Sequence, residues 1–383
     1  MAQYSPRTFF RHVPNAMLKE YFTSKGVLIE HDLSKVPEAE IEPIYQAWLS
    51  LLDNQDMERD FKEIDQLACE GGIRAILDEA EWRNENITEH LEKHHGFHEK
   101  VMWLFLKRNH YWSAVISFCH ADSISFSQWN DCRTTNTSLA NVNDEAIKNL
   151  EKSLSNYFFN KDGRGKNCKV EVYKRGELDY FFAYPEDYAQ SSVEWEGSNF
   201  KRSARHPAFE IIFVYKQKEG KISLYMKGSK AIKKEVRALF ADAILGLNLD
   251  EFVEDERIYN LKPLQQADAV FKFSPEQGIQ SVTIKKLRLA INGTKERITL
   301  EASPAKNPNA VYQLRDKLFK GIPASQLTIT QVGIQVTFIS VDGKRASTKS
   351  FEISWPNSCT LKHDDKDAII RKMLIDSGIE PKS

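Results

Sequence analysis

Histidine side chains gather in one short segment, and this is the first place where the sequence could do chemistry. His90, His94 and His98 recur at four-residue spacing, with Glu99 beside the last of them. On one continuous helix this spacing would present three imidazoles from a single face, an arrangement that can bind zinc. Gly96 interrupts the helix, and the Glu of a His-Glu-x-x-His hydrolase is missing. An exposed polar helix end is therefore the favoured interpretation, and we expect neither a metal nor another cofactor.

Arg83 and His90 form a second candidate pair, for acid–base catalysis on RNA without a metal. All-helical ribonucleases of the HEPN type place an Arg four to six intervening residues before a His. The His moves a proton and the Arg stabilises the phosphate charge. Arg83 precedes His90 at the upper end of that spacing, and a seven-residue separation returns to nearly the same helical face. Chance produces such spacings readily in a chain of this length, so this is a spacing match and not a family resemblance.

Basic residues interleaved with aromatic ones occupy the second half of the chain. Such cations neutralise phosphates, and aromatic rings stack on unpaired bases. Two alternatives stay open: an acidic protein partner, or a solvated sheet face on which long Lys and Arg side chains cover apolar surface. The segment from Lys201 to His206 is predicted as a basic loop. The candidate nucleic-acid-binding residues are Arg164, Lys166, Lys169, Lys174, Arg175, Lys201, Arg202, Arg205, Lys285, Lys286, Arg288, Lys295 and Arg297.

Motifs of several large enzyme classes are missing from the chain. There is no GxxxxGK[ST] phosphate loop, no GxGxxG after a strand and no GxSxG nucleophile elbow. The run from Asp162 to Gly165, Asp-Gly-Arg-Gly, fits a phosphate-binding turn that uses Arg164, and fits a domain-boundary turn equally well. The sequence thus favours a binding protein over an enzyme.

Charge divides the chain in two. Residues 1–155 contain 16 Lys and Arg against 25 Asp and Glu, whereas residues 156–383 contain 37 against 29. This asymmetry predicts two different modules, of which the second faces polyanions or an acidic partner. The five cysteines never form CxxC, and no apolar run is long enough for a membrane-spanning helix, so we expect a cytoplasmic protein without disulfides.

Periodicity predicts helices first and antiparallel hairpins afterwards, which is an α+β fold. Two adjacent glycines, Gly71 and Gly72, predict a break or a close backbone contact within a helical stretch. Helices are predicted at 16–25, 34–52, 57–82, 89–118, 145–159, 232–245, 310–319 and 364–377. Hairpins are predicted at 168–184, 209–226, 281–302 and 327–354, the last two around Asn292-Gly293 and Asp342-Gly343. The predicted domains are an acidic helical domain at 1–121, a polar connection with a linking helix at 122–159, and a basic α+β domain at 160–383.

Together these patterns predict a cytoplasmic binding or regulatory protein whose basic part engages nucleic acid, either DNA or RNA, or an acidic protein. The metal-independent ribonuclease using Arg83 and His90 is one alternative. A scaffold subunit of a multiprotein complex, such as a bacterial antiviral-defence complex, is the other.

Overall fold

Helices precede antiparallel sheets along the chain, which confirms the predicted α+β fold class. The computed structural model describes residues 4–29, 33, 36–38, 40–51, 55–125, 128–134, 137–248, 252–254, 259–267, 269, 271–294, 296–320, 323, 326–340, 346–356, 358–361 and 365–380. The chain divides into two compact units. The first contains Met1–Ala121 and Thr134–Phe252, and the second contains Asp122–Arg133 and Val253–Ser383.

The helices are numbered in chain order. They are α1 (Pro6–His12), α2 (Asn15–Ser24), α3 (Glu42–Leu49), α4 (Gln55–Leu67), α5 (Glu70–Trp82), α6 (Thr88–Glu92), α7 (Phe97–Lys107), α8 (Trp112–Ser123), α9 (Asp144–Asp162), α10 (Lys230–Phe240), α11 (Ala310–Leu318) and α12 (Asp365–Asp376). Among the described residues, none of these helices is both long enough and apolar enough to cross a membrane.

The strands are numbered in the same way. They are β1 (Trp129–Thr134), β2 (Cys168–Arg175), β3 (Leu178–Pro185), β4 (Gln190–Glu196), β5 (Asn199–Arg205), β6 (Ile211–Lys216), β7 (Lys221–Tyr225), β8 (Phe252–Glu254), β9 (Ile279–Ile291), β10 (Arg297–Glu301), β11 (Leu327–Phe338), β12 (Thr348–Ser354) and β13 (Ser358–Cys359). The strand β1 lies inside the stretch predicted as a polar connection. Polar residues between Trp129 and Cys132 hid its alternation.

An aromatic cluster holds the N-terminal helices of the first unit together. The ring of Phe61 on α4 stacks on Phe9 with centroids 4.6 Å apart, and it meets Phe10 edge-on at 5.6 Å. Tyr21 and Phe22 of α2 complete the cluster, and all five side chains are buried. Offset and edge-to-face aromatic pairs contribute about 1 kcal/mol each beyond the area they bury.

The paired glycines mark the break that the sequence predicts. The helix α4 ends at Leu67 and α5 begins at Glu70. A Cβ on Gly72 would lie 1.9 Å from the carbonyl oxygen of Leu67, whereas a Cβ on Gly71 would meet only the Cys69 Sγ, at 3.9 Å. Gly72 is therefore required for the close approach of α5 to the end of α4, and Gly71 is not.

The helical pattern predicted at 89–118 is divided among three helices. The chain forms the short α6, then α7 and α8, with non-helical residues at 94–96 and at 108. Gly96 has extended backbone and serves as the N-cap of α7. The apolar positions change face along this segment because three short helices, and not one long helix, bury them.

In the first unit, β2, β3, β6 and β7 form neighbouring antiparallel strands of one sheet. The hairpin β2–β3 confirms the one predicted at 168–184, and Gly176 occupies its tight turn with φ +57°. The helix α9 begins at its N-cap Asn143, whose side chain accepts from the Ala146 amide at 2.8 Å. The buried face of α9 consists of Ala146, Leu150, Leu154 and Phe158, which is the predicted face.

In the second unit, β10, β9, β11, β12 and β13 form a five-stranded antiparallel sheet. Its apolar face shares one core with α11 and α12. On the other face, Lys286, Gly333 and Glu352 align across three strands. A Cβ on Gly333 would lie 2.8 Å from the Lys286 Cβ, so glycine lets the lysine cross to Glu352, with Nζ and Oε1 2.8 Å apart. The predicted Asp342-Gly343 turn lies outside the described residues.

The compact units group the chain differently from the predicted division at residues 121 and 160. The first unit contains 32 Lys and Arg and 37 Asp and Glu, and the second contains 21 and 17. The charge imbalance per unit is therefore smaller than the imbalance between the two parts of the sequence. The predicted domains are segments expected to fold independently of each other, and a grouping by contacts does not test that expectation. The division at residues 121 and 160 therefore stays a prediction.

Candidate nucleic-acid interface

The strands β4 and β5 form a separate two-stranded ribbon in the first unit. They pair antiparallel from Gln190 with Arg205 to Glu196 with Asn199, and Gly197 lies in the tight turn with φ +62°. Gly197 and Ser198 are the two residues between the strands, and a glycine there suits the positive φ that such short hairpins need. This ribbon corrects the predicted basic loop, since Lys201, Arg202 and Arg205 lie on a strand.

The register of the ribbon sorts its side chains onto two different faces, because directly paired residues point to the same side. We call one side the aromatic face. It consists of Ser191, Val193, Trp195, Phe200, Arg202 and Ala204. The opposite, charged face consists of Gln190, Ser192, Glu194, Glu196, Asn199, Lys201, Ser203 and Arg205.

The aromatic face exposes its large apolar side chains to solvent. Trp195 is 65% exposed, Phe200 54% and Val193 53%. The rings of Trp195 and Phe200 meet edge-to-face, with centroids 5.4 Å apart and an angle of 67° between their planes. Adjacent exposed apolar side chains on a regular element are a common mark of a binding surface. Flat ring faces at the end of a ribbon provide a platform on which planar ligands can stack.

The charged face neutralises its own cations. The Lys201 Nζ lies 3.2 Å from the Glu196 Oε2, and Arg205 is paired with Glu194. Glu194 also accepts a hydrogen bond from the Ser203 hydroxyl at 2.9 Å. Two of the three predicted cations of this segment are therefore bound to carboxylates of the adjacent strand and offer little net charge to a ligand.

Arg202 differs from its neighbours because it lies on the aromatic face. Its guanidinium lies over the Phe200 ring at 6.0 Å from the centroid, and the described residues provide no carboxylate within ion-pair distance of it. An exposed Arg beside two exposed rings combines one phosphate-binding cation with two stacking surfaces. The sequence analysis associated cations beside aromatic rings with nucleic-acid binding. In the ribbon this combination occurs on the aromatic face and not on the charged face.

Several other candidate cations have structural partners. Arg175 is mostly buried, and its Nε lies 2.6 Å from the Asp78 Oδ2. Carboxylates also pair with the following cations: Arg164 with Asp187 and Asp162, Lys169 with Glu151, Lys174 with Asp179, and Lys286 with Glu352. These ion pairs tie the cations to the fold and reduce the charge that they offer to a ligand.

A second group of candidate cations has no ion pair among the described residues. It consists of Lys166 in the first unit and of Lys285, Arg288 and Arg297 in the second. Lys166 and Arg297 are exposed, while Lys285 and Arg288 are half-buried in β9. Lys295 lies outside the described residues. The second unit also exposes an aromatic side chain, since Trp355, directly after β12, is 59% exposed.

The turn after α9 is explained by packing and not by phosphate binding. Gly163 ends the helix with φ +71°, and Gly165 approaches Phe158 so closely that a Cβ would lie 2.8 Å from the Phe158 Cβ. The guanidinium of Arg164 lies 4.2 Å from the centroid of Phe209 and is paired with two carboxylates. This geometry favours a structural turn for the Asp-Gly-Arg-Gly run, and the turn lies inside the first unit and not at a boundary between units.

Arg83 and His90 have different surroundings. Arg83 follows the last residue of α5, and its Nε lies 2.6 Å from the Glu79 Oε1. His90 lies on α6 and stacks on Trp103 with ring centroids 5.3 Å apart. The continuous helix that would align the two side chains is interrupted at residues 83–87. The assumption behind the predicted pair is therefore wrong, and no contact in the described structure joins the two side chains.

The histidine cluster is also divided among different partners. The His94 Nδ1 lies 2.9 Å from the Glu99 Oε1, and the His98 Nε2 lies 2.9 Å from the Asp65 Oδ1. His98 also stacks on His12 with centroids 4.7 Å apart. Across the described residues, no three His, Cys, Asp or Glu side chains are grouped so that they could hold a metal ion. These contacts agree with a structural role for the histidines.

Sequence reasoning missed Trp195, Phe200 and Val193. The signal was present: Ser-Val-Glu-Trp-Glu alternates, a Gly-Ser pair follows, and Phe-Lys-Arg alternates again. It was weak because the ribbon is exposed on both faces, so neither face shows the continuous apolar pattern of a buried strand. No protein-family model matches the chain, and no curated protein is significantly similar to it in sequence.

Proposed function

We propose that this protein binds single-stranded nucleic acid through the aromatic face of the β4–β5 ribbon. The observation that carries the proposal is the exposed pair Trp195 and Phe200 beside Arg202, for which the described residues provide no carboxylate partner. Two successive unpaired bases stack on the two rings, and Arg202 contacts the phosphate between or beside them. Recognition of this kind tolerates any base sequence, because every base has a flat π face.

The structure supports a single strand over a duplex as the ligand. A two-stranded ribbon fits the major groove of a duplex when it presents polar side chains to the base edges. Here the charged face has both its Lys201 and its Arg205 neutralised by the ribbon's own carboxylates. The face that remains presents rings, which need unstacked bases as partners.

The salt dependence of binding follows from the number of ribbon cations that can contact phosphate. Lys201 and Arg205 are paired with carboxylates, whereas Arg202 has no carboxylate partner among the described residues. Each phosphate neutralised on a single strand contributes a slope of about −0.7 to the logarithm of the affinity against the logarithm of the salt concentration. With Arg202 as the principal cation, we expect a slope between about −0.7 and −1.4. Many phosphate contacts, as the basic sequence composition first predicts, would give a far steeper slope.

The test is fluorescence anisotropy with labelled oligouridine and oligothymidine, compared with a duplex of the same length. Trp195→Ala should weaken single-strand binding by about 2 kcal/mol, or roughly 30-fold, because one stacking platform is lost. Trp355→Ala is the matched control, since Trp355 is 59% exposed and lies outside the ribbon. The proposal fails if both variants bind like the wild type, or if the wild-type protein binds neither oligonucleotide at about 50 mM salt.

Arg202 and Lys201 offer a second matched pair. Arg202→Gln should reduce affinity and flatten the salt dependence, whereas Lys201→Gln should change neither, since Lys201 is paired with Glu196 on the other face. Preferential binding of the duplex, or of an acidic protein in place of any oligonucleotide, would contradict the single-strand proposal.

A further inference from the structure

A cleft of about 510 Å³ lies in the first unit, away from the residues of the β4–β5 ribbon. The end of α5, the extended segment at 137–143, the start of α9 and the strand β2 contribute its lining. Trp82, Leu139 and Val142 form its apolar rim, and Val172 lies deeper within it. Clefts of this volume hold small organic ligands.

Two hydrogen bonds tie the segment that carries Leu139 to the rest of the first unit. The Tyr215 hydroxyl donates to the Ser138 carbonyl at 2.6 Å, and the Asn141 amide donates to the Ile244 carbonyl at 2.8 Å. These two hydrogen bonds fix Ser138 and Asn141 on either side of Leu139, and Val142 directly precedes Asn143, the N-cap of α9. Leu139 is 74% exposed, and the apolar side chains of Trp82, Val142 and Val172 line the same cleft. The cleft is preformed, so a ligand that fills it covers apolar surface without first ordering the chain.

In the two ion pairs of the cleft, the cationic side chain is more exposed than its carboxylate partner. The Arg83 side chain is 38% exposed, while its partner Glu79 is 3% exposed. The Lys174 side chain is 39% exposed, while its partner Asp179 is 12% exposed, with Nζ and Oδ1 3.3 Å apart. All four side chains line the cleft, and a ligand there meets two cationic heads that are more exposed than their carboxylate partners. Apolar walls beside accessible cations are complementary to an amphipathic anion.

We infer that this cleft is a binding site for a small amphipathic anion, with an aromatic or aliphatic body and one acidic head group. The body lies against Trp82, Leu139 and Val142, and the head group lies near Lys174 and Arg83. The Lys174 ammonium already covers one side of the Trp82 ring at 5.4 Å from its centroid, so the ligand's body takes the remaining exposed surface of the indole. This site is independent of the proposed nucleic-acid surface.

The test uses two fluorescent probes with similar aromatic bodies and different charge. These are 8-anilinonaphthalene-1-sulfonate, which is an anion, and N-phenyl-1-naphthylamine, which is neutral. The full chain should bind the anion at least about threefold more tightly, because only the anion is attracted by the exposed heads of Lys174 and Arg83. Trp82→Ala should weaken binding of both probes about tenfold, whereas Lys174→Gln should weaken only the anion.

Two further variants keep the result interpretable. Leu139→Ser changes a side chain that is mostly exposed, so it leaves folding intact and should still weaken both probes. Trp195→Ala removes an exposed indole from the ribbon and should leave probe binding unchanged. Equal affinity for the two probes, unchanged binding in both Trp82→Ala and Leu139→Ser, or no binding of the anion by the wild-type protein would each overturn the proposal. None of these outcomes bears on the nucleic-acid proposal.

Discussion

Replacing Arg83 by Ala tests whether this residue stabilises the fold, as its contacts indicate, or acts on a substrate. The Glu79 carboxylate is 3% exposed, and Arg83 is its closest partner, with Nε and Oε1 2.6 Å apart. Removing one partner of a fully buried ion pair costs about 3–5 kcal/mol. Because the Arg83 side chain is more than one-third exposed, we reduce the expected loss to about 2 kcal/mol. For a unit of this size that loss lowers Tm by about 4–8 °C.

The pH dependence of this loss follows from the pKa of Glu79. Burial raises that pKa above its usual value, and the charge of Arg83 opposes the increase. In the Arg83→Ala variant the opposing charge is gone, so the folded-state pKa rises further. The folded state then binds the proton more tightly than the unfolded state, and stability falls as the pH rises from the unfolded pKa through the folded pKa. The deficit should be largest above the folded-state pKa of the variant, should shrink as the pH falls through that pKa, and should be smallest below about pH 4.3, where the carboxyl is protonated in both states.

The assay is urea unfolding followed by circular dichroism at neutral and acidic pH, for the wild type and for matched variants. Glu79→Gln combined with Arg83→Ala should recover most of the lost stability, since no buried charge remains. Lys62→Ala removes an exposed pair with Glu58 and should cost about 0.5 kcal/mol or less. An Arg83→Ala deficit that is equal at both pH values, or no larger than that of Lys62→Ala, would refute the reasoning.

Two further predictions concern stability. Gly72→Ala should destabilise the protein by about 3 kcal/mol in chemical unfolding, because its Cβ would meet the Leu67 carbonyl; Gly71→Ala is the adjacent control and should be neutral or stabilising. His120→Asn should lower stability by about 0.5 kcal/mol near pH 6 and by less near pH 8.5. The Glu210 carboxylate, 2.7 Å from His120, raises the histidine pKa, so the stabilisation is present below the unfolded pKa and is lost as the pH rises through the folded pKa. Equal effects of the two glycine variants, or a larger His120→Asn effect at high pH, would contradict these predictions.

Local patterns predicted the elements that bury apolar side chains in a regular sequence pattern. The apolar face of α9 and the hairpin β2–β3 are both confirmed, and the strand β3 of that hairpin is buried on both sides. The fold class followed from the same periodicities. The β4–β5 ribbon was missed because it buries neither face, so its short alternation around Trp195 and Phe200 lacks the continuous apolar pattern of a buried strand.

Long-range ion pairs were beyond the reach of the sequence. Arg175 is 97 residues from Asp78, its partner, and Lys286 is 66 residues from Glu352. Composition showed these residues as part of an excess of positive charge, whereas the fold places a carboxylate beside each. Arg202 could be distinguished from Lys201 only after the strand register was known. Adjacent residues of a strand point to opposite faces, so Arg202 lies on the aromatic face and Lys201 on the charged face.

The most direct test of the central claim is ultraviolet crosslinking of the full chain to 4-thiouridine-containing single-stranded RNA, followed by tryptic digestion and mass spectrometry. We predict crosslinks in the peptide at 176–201, which contains Trp195 and Phe200, and their loss when both residues are replaced by Ala. Crosslinks that map instead to the basic strands β9 and β10, and that persist in the double variant, would contradict the account.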